Sequence, residues 1–403
     1  MAQPNIIVIM TDDQRFDFLS PVFMPRTMQR LVGSGVSFTN AFATTALCGP
    51  SRMSFLTGDL ASIHGAQGNA ETATDSVGPD ANTIATRLHD AGYYTAIVGK
   101  YLNGYEALGP PNALEWYIPP GWDSWDVLQN DFDSYIESVF VTGPDTTQLV
   151  TQYSTDWIAE RAKFLLQHKP ANQPAFLLVT PFGPHLGLEM QPARYADVMG
   201  KVPLWRPPNF NEPDVSDKAS VLQAQPQISD TTVIDTNRRA MLEALLAVDD
   251  LVEVIWRVVE SMEQETVIVF MSDQGFFFGE HRLTGKAKPY DEAHRIPLVI
   301  SYPGVLSARI EEGLVTSQDV TQTLLAWGEA EPLGAAGVSM APRLVTAQPL
   351  TRASMMMEGY EPGFEYQGVR TLGLKFFTWT GVSESELYDV VIDPYELQNL
   401  LSL

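Results

Sequence analysis

The sequence predicts an α/β protein built on a large, mostly parallel sheet flanked by helices, with a shorter run of strands at its C-terminal end. Three observations predict this. Apolar, β-branched runs at 5–10, 93–98, 175–180, 266–271 and 298–301 are too continuous for a sheet with one wet face, so they read as strands buried on both sides. Helical patterns separate them, the longest over 239–262 with a single apolar face from Leu242 to Val259. Polar pairs gather just past the strand ends, the edge where open α/β sheets bind ligands. A chain of 403 residues suits one large domain, expected over 1–330, and a smaller one over 331–403.

Composition narrows the function classes. Twenty-five basic against forty-nine acidic residues leave a net charge of −24, which argues against nucleic acid and anionic membrane as partners and disfavours a long polyanion. Cys48 is the only cysteine, so no intrachain disulfide forms. The run 5–10 lacks the basic leader and cleavage site of a signal peptide and is too short to span a bilayer, so the chain as written is expected to be cytoplasmic.

Taken in order, the first strand delivers Asp12 and Asp13 to the sheet edge, where an acidic pair either caps the next helix or binds a cation. A short helix at 24–31 and a strand at 36–42 follow. The stretch Leu47-Cys48-Gly49-Pro50-Ser51-Arg52 then opens a helix ending at Gly58. Pro50 suits the first helical turn, and the unpaired N–H groups there form an anion site. A helix over 83–91, closed by Gly92, precedes the strand at 93–98, which delivers Lys100, a residue that alone reads equally as a surface lysine. Residues 106–146, rich in Trp, Pro, Asp and Gly, read as an excursion over the surface.

A helix is expected at 147–167, and the strand at 175–180 leads to Pro184-His185. Residues 207–218 read as a loop, and Asp249 and Asp250 are expected on the polar side of the long helix. The strand at 266–271 presents Asp273 and Gln274. Two oxygen-bearing pairs on separate strands of one sheet make a hard, all-oxygen site, suited to Ca²⁺ first and Mg²⁺ second. Zinc is disfavoured among these ligands. A loop carrying His281, Lys286 and Lys288 follows; His281 reads as either a site residue or an exposed loop histidine. Leu298 to Ser301 closes the large domain's strands, 319–327 is a helix, 330–351 a linker, and 369–371, 375–379 and 386–389 alternate as strands.

Cys48-x-Pro50-Ser51-Arg52, followed by Leu56-Thr57-Gly58, resembles the signature of the type I sulfatases of the alkaline phosphatase superfamily, whose cysteine is oxidised to formylglycine. The resemblance implies a sulfatase-like fold ending in a small antiparallel sheet, matched here by Leu387-Tyr388-Asp389 and Asp393-Pro394-Tyr395-Glu396. It implies a catalytic set of Cys48, Arg52, Lys100, His185, Lys286 and His281, with Lys286 chosen over Lys288 because it lies four residues before Tyr290. The implied metal set is Asp12, Asp13, Cys48, Asp273 and Gln274. Two departures stand out: Leu102 and Asn103 follow where the commonest form has a histidine, and Gln274 stands in place of Asn or His.

Lys100-Tyr101-Leu102-Asn103 and Asn209-Phe210-Asn211-Glu212 resemble the N-acetylglucosamine-6-sulfatase branch. The implied reaction cleaves an O-sulfate ester of a small molecule or saccharide, after a formylglycine-generating enzyme has acted on Cys48. One hydroxyl of the hydrated aldehyde attacks sulfur and the other expels sulfate, while His185 protonates the leaving oxygen. A phosphonate monoester or phosphodiester hydrolase shares the motif, and an unmatured anion-binding homologue keeps the same fold. Both stay open at this point.

Overall fold

The computed structural model describes residues 3–69, 79–105, 116–129 and 134–402. Its largest feature is a ten-stranded sheet, made of β1 (Asn5–Thr11), β2 (Val36–Phe42), β3 (Tyr94–Gly99), β4 (Ser124–Leu128), β5 (Ser138–Gly143), β6 (Thr146–Val150), β7 (Ala175–Thr180), β8 (Thr266–Ser272), β9 (Leu298–Ser301) and β10 (Arg309–Thr316). The spatial order is β10-β2-β9-β8-β1-β7-β3-β4-β5-β6. Its centre, β8-β1-β7-β3-β4, is wholly parallel, while β9 pairs antiparallel with both neighbours and β4, β5 and β6 form an antiparallel meander.

The continuous apolar runs follow from a three-layer stack. In β1, Ile7 and Ile9 point into a core shared with α3 (Ser154–His168) and α4 (Thr232–Glu260). Ile6, Val8 and Met10 point the other way, toward α1 (Cys48–Thr57), α2 (Ile84–Asp90) and α5 (Ser317–Trp327). With apolar layers on both sides, a strand has no use for polar alternation.

Several expectations need correction. Part of the supposed surface excursion is sheet: β4 runs parallel to β3 and β5 begins a hairpin, while 106–115 and 130–133 lie outside the described residues. Residues 147–150, expected as helix, belong with Thr146 to β6, because the Pro144-Asp145 turn and the β-branched Thr146 and Thr147 favour a hairpin. Helix α3 therefore starts at Ser154. Strand β10 was not expected at all; its apolar alternation is broken by a register shift between Glu311 and Leu314. Within the expected linker lies a short helix, Ala341–Val345.

A second, four-stranded antiparallel sheet, β11 (Met355–Gly359), β12 (Tyr366–Arg370), β13 (Leu374–Trp379) and β14 (Glu384–Asp389), closes the chain. Its inward face, with Met357, Tyr366, Phe377, Trp379 and Tyr388, packs on Phe42, Phe277, Tyr290 and Leu314 of the larger unit. Buried Glu386 ties the two together, accepting from Tyr290 Oη at 2.9 Å, Trp379 Nε1 at 2.9 Å and the Ala219 amide at 3.0 Å.

Asp249 is the last correction, for it is fully buried rather than on the polar side of α4. Its carboxylate accepts from the Arg26 amide at 2.9 Å, the Thr27 amide at 2.7 Å and Thr27 Oγ1 at 2.8 Å, anchoring the short helix that opens at Pro25. Asp249→Ala strands those buried donors and is expected to lower stability by about 2 kcal/mol. The midpoint of urea unfolding measures it; no shift would show that water replaces the carboxylate.

Candidate active site

Four parallel strands aim their carboxyl ends at one point. Thr11 pairs with Ser272 in the β1–β8 register, which sets Asp12 and Asp13 beside Asp273 and Gln274. Asp13 takes a left-handed backbone, φ 63°, and its amide donates to Asp273 Oδ1 at 3.2 Å. Lys100 follows β3 directly. The preceding Gly99, φ +117°, has room for no Cβ, since one would lie 2.0 Å from the Thr180 carbonyl. His185 follows β7, and Cys48 is the first residue of α1, so its sulfur lies at a helix N-terminus.

These groups meet. The Cys48 thiol lies 3.3 Å from Asp12 Oδ1, 3.3 Å from Gln274 Nε2 and 2.8 Å from Lys286 Nζ. Lys286 also donates to Asp13 Oδ1 at 2.6 Å, and Lys100 pairs with Asp12. Arg52 is the crosslink: Nε donates to Asp273 Oδ2 at 2.8 Å, Nη1 to the Lys100 carbonyl at 2.9 Å, and Nη2 sits 3.4 Å from Asp12. His185 presents Nε2 at 3.6 Å from Asp13, while its Nδ1 contacts the Leu186 carbonyl at 2.6 Å. Three carboxylates thus face three fixed cations in a buried site.

The balance shows in the titration behaviour. Burial opposes ionisation of Asp12, but Lys100, His185, Arg52 and Lys286 outweigh it and hold that carboxyl well below its usual range. Burial and Asp12 push Asp273 upward. The Cys48 thiol is pushed up to about 12 by burial and by Asp12, so an unmodified cysteine here is an inert thiol at neutral pH. Burial works against the Lys286 ammonium, yet Asp13, Cys48, Asp12 and Asp273 raise it well above its ordinary value.

The donor set fits a hard divalent cation. Ligand atoms of Asp12, Asp13, Cys48 and His185 converge within 4.8 Å of one another. Asp273, expected as a ligand, stands outside that group, with its oxygens turned to Arg52 and to the Asp13 and Gln274 amides, while His185 stands inside it. Gln274 Oε1 is buried with no hydrogen-bond partner while its Nε2 faces Asp13 and Cys48. Half a turn of that amide would aim the oxygen into the cluster, as an oxygen-liganded Ca²⁺ or Mg²⁺ needs.

His281 is placed elsewhere. It is fully buried, with Nδ1 2.7 Å from Glu212 Oε2, Nε2 3.1 Å from Asn209 Nδ2, and its ring stacked 4.1 Å from Tyr290. Lys288 pairs with Glu361 and lies over Phe364. Sequence reasoning missed several supports of the site. Ser51 Oγ donates to the Asp273 carbonyl at 2.5 Å, Asn69 accepts from the Gly49 amide at 2.9 Å, and Tyr135 Oη donates to the His185 carbonyl at 2.7 Å. Ser51 stood inside the motif and could have been found; Asn69 and Tyr135 lie in stretches without periodic signal.

The fold and this edge define a protein of the alkaline-phosphatase-like fold class. Solved structures share the architecture: one in complex with its substrate D-glucosamine-2-N,6-O-disulfate has a TM-score of 0.86 at 24% identity, covering 99% of this chain and 93% of that one. A phosphonate monoester hydrolase of Agrobacterium radiobacter has a TM-score of 0.77 at 21% identity, covering 99% and 92%. Within that class the chain belongs to the sulfatase family, whose profile matches residues 4–330, and a profile described as N-sulphoglucosamine sulphohydrolase, C-terminal, matches 279–402.

Among relatives, an extracellular sulfatase SULF-1 homolog of Drosophila melanogaster is 31% identical over 81% of this chain, and an N-acetylglucosamine-6-O-sulfatase of Bacteroides thetaiotaomicron is 26% identical over 99% of it. The chain spans 82% of the bacterial protein but only 30% of the Drosophila one.

The His281 network carries a pH signature. Burial pushes Glu212 up to about 7 from 4.5, only partly offset by Lys218 and Arg282 and reinforced by Asp217. A carboxyl raised in the folded state holds a proton that the unfolded chain has released, so between pH 4.5 and about 7 this group makes stability fall as pH rises. Glu212→Gln keeps an acceptor for His281 and is expected to flatten that slope. Urea unfolding at pH 5, 6 and 7 checks it, and an unaltered slope would mean that Glu212 is ionised throughout.

Proposed function

We propose that this chain is a sulfuric ester hydrolase acting on an O-sulfated sugar of the 6-O-sulfated N-acetylglucosamine class, with Cys48 converted to formylglycine by a formylglycine-generating enzyme. The observation that carries the reading is the meeting of Cys48 Sγ with Asp12, Gln274 and Lys286 at the head of α1, inside a balanced set of three acids and three cations. A thiol is a poor partner for a hard cation, and an oxygen at that position suits it. Family membership and the N-acetylglucosamine-6-O-sulfatase relative support the substrate class.

Once hydrated, the aldehyde supplies two hydroxyls, one to attack sulfur and one to release sulfate. A Ca²⁺, or Mg²⁺, held by Asp12, Asp13, Asp273, Gln274 and the oxygen at position 48 would acidify the attacking hydroxyl. The chain's own groups do the rest. Arg52, Lys100 and Lys286 offset the negative charge of the sulfate and of the transition state, each contributing ~3 kcal/mol as oriented donors do in comparable sites. His185 is oriented through Nδ1 on the Leu186 carbonyl; burial works against its imidazolium while Asp13 and Asp12 favour it, and in that charged form Nε2, facing the cluster, gives a proton to the leaving oxygen. His281, packed among Glu212, Asn209 and Tyr290, supports the loop that carries Lys286. This reading assigns catalysis to residues 1–330 and a supporting role to 331–403.

The decisive test is the mass of the tryptic peptide from Leu31 to Arg52 after co-expression with a formylglycine-generating enzyme. An aldehyde at position 48 is expected; a persistent thiol would overturn the mechanism and favour an anion-binding homologue. With matured protein, Cys48→Ala is expected to lower kcat on an aryl sulfate by at least ~10⁴-fold, the scale seen when a nucleophile is removed. Chelation with EDTA should abolish turnover and Ca²⁺ restore it. A large preference for an aryl phosphonate over the aryl sulfate would replace the sulfatase reading with a phosphonate hydrolase.

A further inference from the structure

The helix that carries Cys48 starts without a cap of its own. In α1 the residue before Cys48 is Leu47, whose side chain has no oxygen to offer the first turn, and Pro50 has no N–H. The first intrahelical bond runs from the Ser51 amide to the Leu47 carbonyl at 2.8 Å, so the donors left over are those of Cys48 and Gly49. Gly49 is buried, and its amide donates to Asn69 Oδ1 at 2.9 Å. That is the bond a Ser, Thr, Asp or Asn in place of Leu47 would have made, supplied here from a loop twenty residues on.

The stretch leading to Asn69 is fastened on two sides. His64 Nδ1 accepts from the Ala66 amide at 3.2 Å, and burial pushes this imidazole down to about 4. It is therefore neutral at pH 7 with its proton on Nε2, which donates to Ser54 Oγ on α1 at 3.0 Å. Gly65 then turns the chain with φ +84°. On the other side, Ser62 Oγ donates to buried Glu358 at 2.5 Å, and the Glu358 amide donates to the Thr44 carbonyl at 2.9 Å. The Ala287 amide, next to Lys286, donates to the Ala46 carbonyl at 2.9 Å. The chain entering Cys48 is thus held at Thr44 and Ala46, and the first turn leaving it is held by Asn69.

We propose that Asn69 is a positioning residue for the reaction at position 48: it caps α1 from outside the helix and so fixes the direction in which the side chain at the helix's first residue meets the sulfate. The inference rests on the sulfatase reading above. Because position 48 opens α1, its Cα–Cβ direction follows the first turn, which Ser51 and Arg52 hold only from the side of Asp273. With the Gly49 amide unpaired, that turn relaxes toward another acceptor. An offset of about 1 Å at a reacting atom costs on the order of 100-fold in rate. Sulfate binding is left nearly untouched, because its cations, Lys100, Lys286 and Arg52, are held by Asp12, Asp13 and Asp273 and not by Asn69.

The experiment compares Asn69→Leu, close in shape but without an acceptor, with Asn69→Asp, which keeps the acceptor and suits a helix N-terminus. The full chain is co-expressed with a formylglycine-generating enzyme, and rates on 4-nitrophenyl sulfate with Ca²⁺ present are divided by the aldehyde content, read from the mass of the peptide holding position 48. Asn69→Leu is expected to lower kcat at least ~10-fold with KM within about twofold, and Asn69→Asp to keep kcat within about threefold of the parent. Hydrogen exchange across residues 46–52, measured on unmatured protein, needs no turnover: it should quicken about tenfold at the Gly49 amide in Asn69→Leu alone. Parental kcat per aldehyde in Asn69→Leu, or an equal loss in both variants, overturns the assignment and leaves the sulfatase reading intact; unaltered exchange in Asn69→Leu overturns the cap itself. Parent protein that carries the aldehyde and hydrolyses no sulfate ester sinks the sulfatase reading and this inference together.

Discussion

The in-register pairing of β1 with β8 governs everything at the carboxyl edge of the sheet. With Thr11 opposite Ser272, the residues leaving both strands share one small buried volume, and those residues are acidic. Each ionised group taken out of water costs several kcal/mol, so three carboxylates there demand compensation. It arrives from three separate elements: Arg52 from α1, Lys100 from the end of β3 and Lys286 from the loop after the short 277–278/284–285 hairpin. Arg52 is shared between Asp12 and Asp273, so removing one cation changes the balance at more than one acid, which makes the cluster a unit rather than a sum of contacts.

That unit explains why a lone cysteine sits at a helix N-terminus. The sulfur is surrounded by hard oxygen and nitrogen groups, and burial with Asp12 beside it suppresses its ionisation. As a nucleophilic thiolate it would be badly placed. As the precursor of an oxygen-bearing group it is well placed on the proposed reading, because the carboxylates that repel a thiolate suit a divalent cation and the lysines and arginine suit a tetrahedral anion. The site's electrostatics therefore favour chemistry that the encoded side chain cannot perform unaided.

How much of this was legible in the sequence depends on the kind of signal. β1, β3, β7 and β8 were readable because burial on both faces writes a continuous apolar run, and with them the positions of Asp12, Asp13, Lys100, His185, Asp273 and Gln274 at the edge. Strands β6 and β10 were missed because they are the two edges of the sheet, where one side faces solvent and the pattern is weaker, and β4 and β5, though internal, because turn residues and polar positions interrupt their short runs. Asp249 and His281 were misplaced or left open for a different reason. Their roles depend on partners more than 60 residues away, Thr27 for one and Glu212 for the other, and no local period reports a long-range hydrogen bond. Family resemblance supplied roles for Cys48 and Lys286 that spacing alone could not.

The molecule's overall charge and its local charge pull in opposite directions, and the difference bears on substrate size. At −24 the surface repels an extended polyanion at long range, whereas the three site cations attract a single sulfate only once it is inside. A sulfated polymer would keep most of its charge within about a Debye length of an acidic exterior while only one ester reached Lys100, Lys286 and Arg52. A monosulfated ring carries one charge, and that charge is the one neutralised. On the proposed reading, the long-range field and the three buried cations together favour a small ester with a single charge over a polyanion.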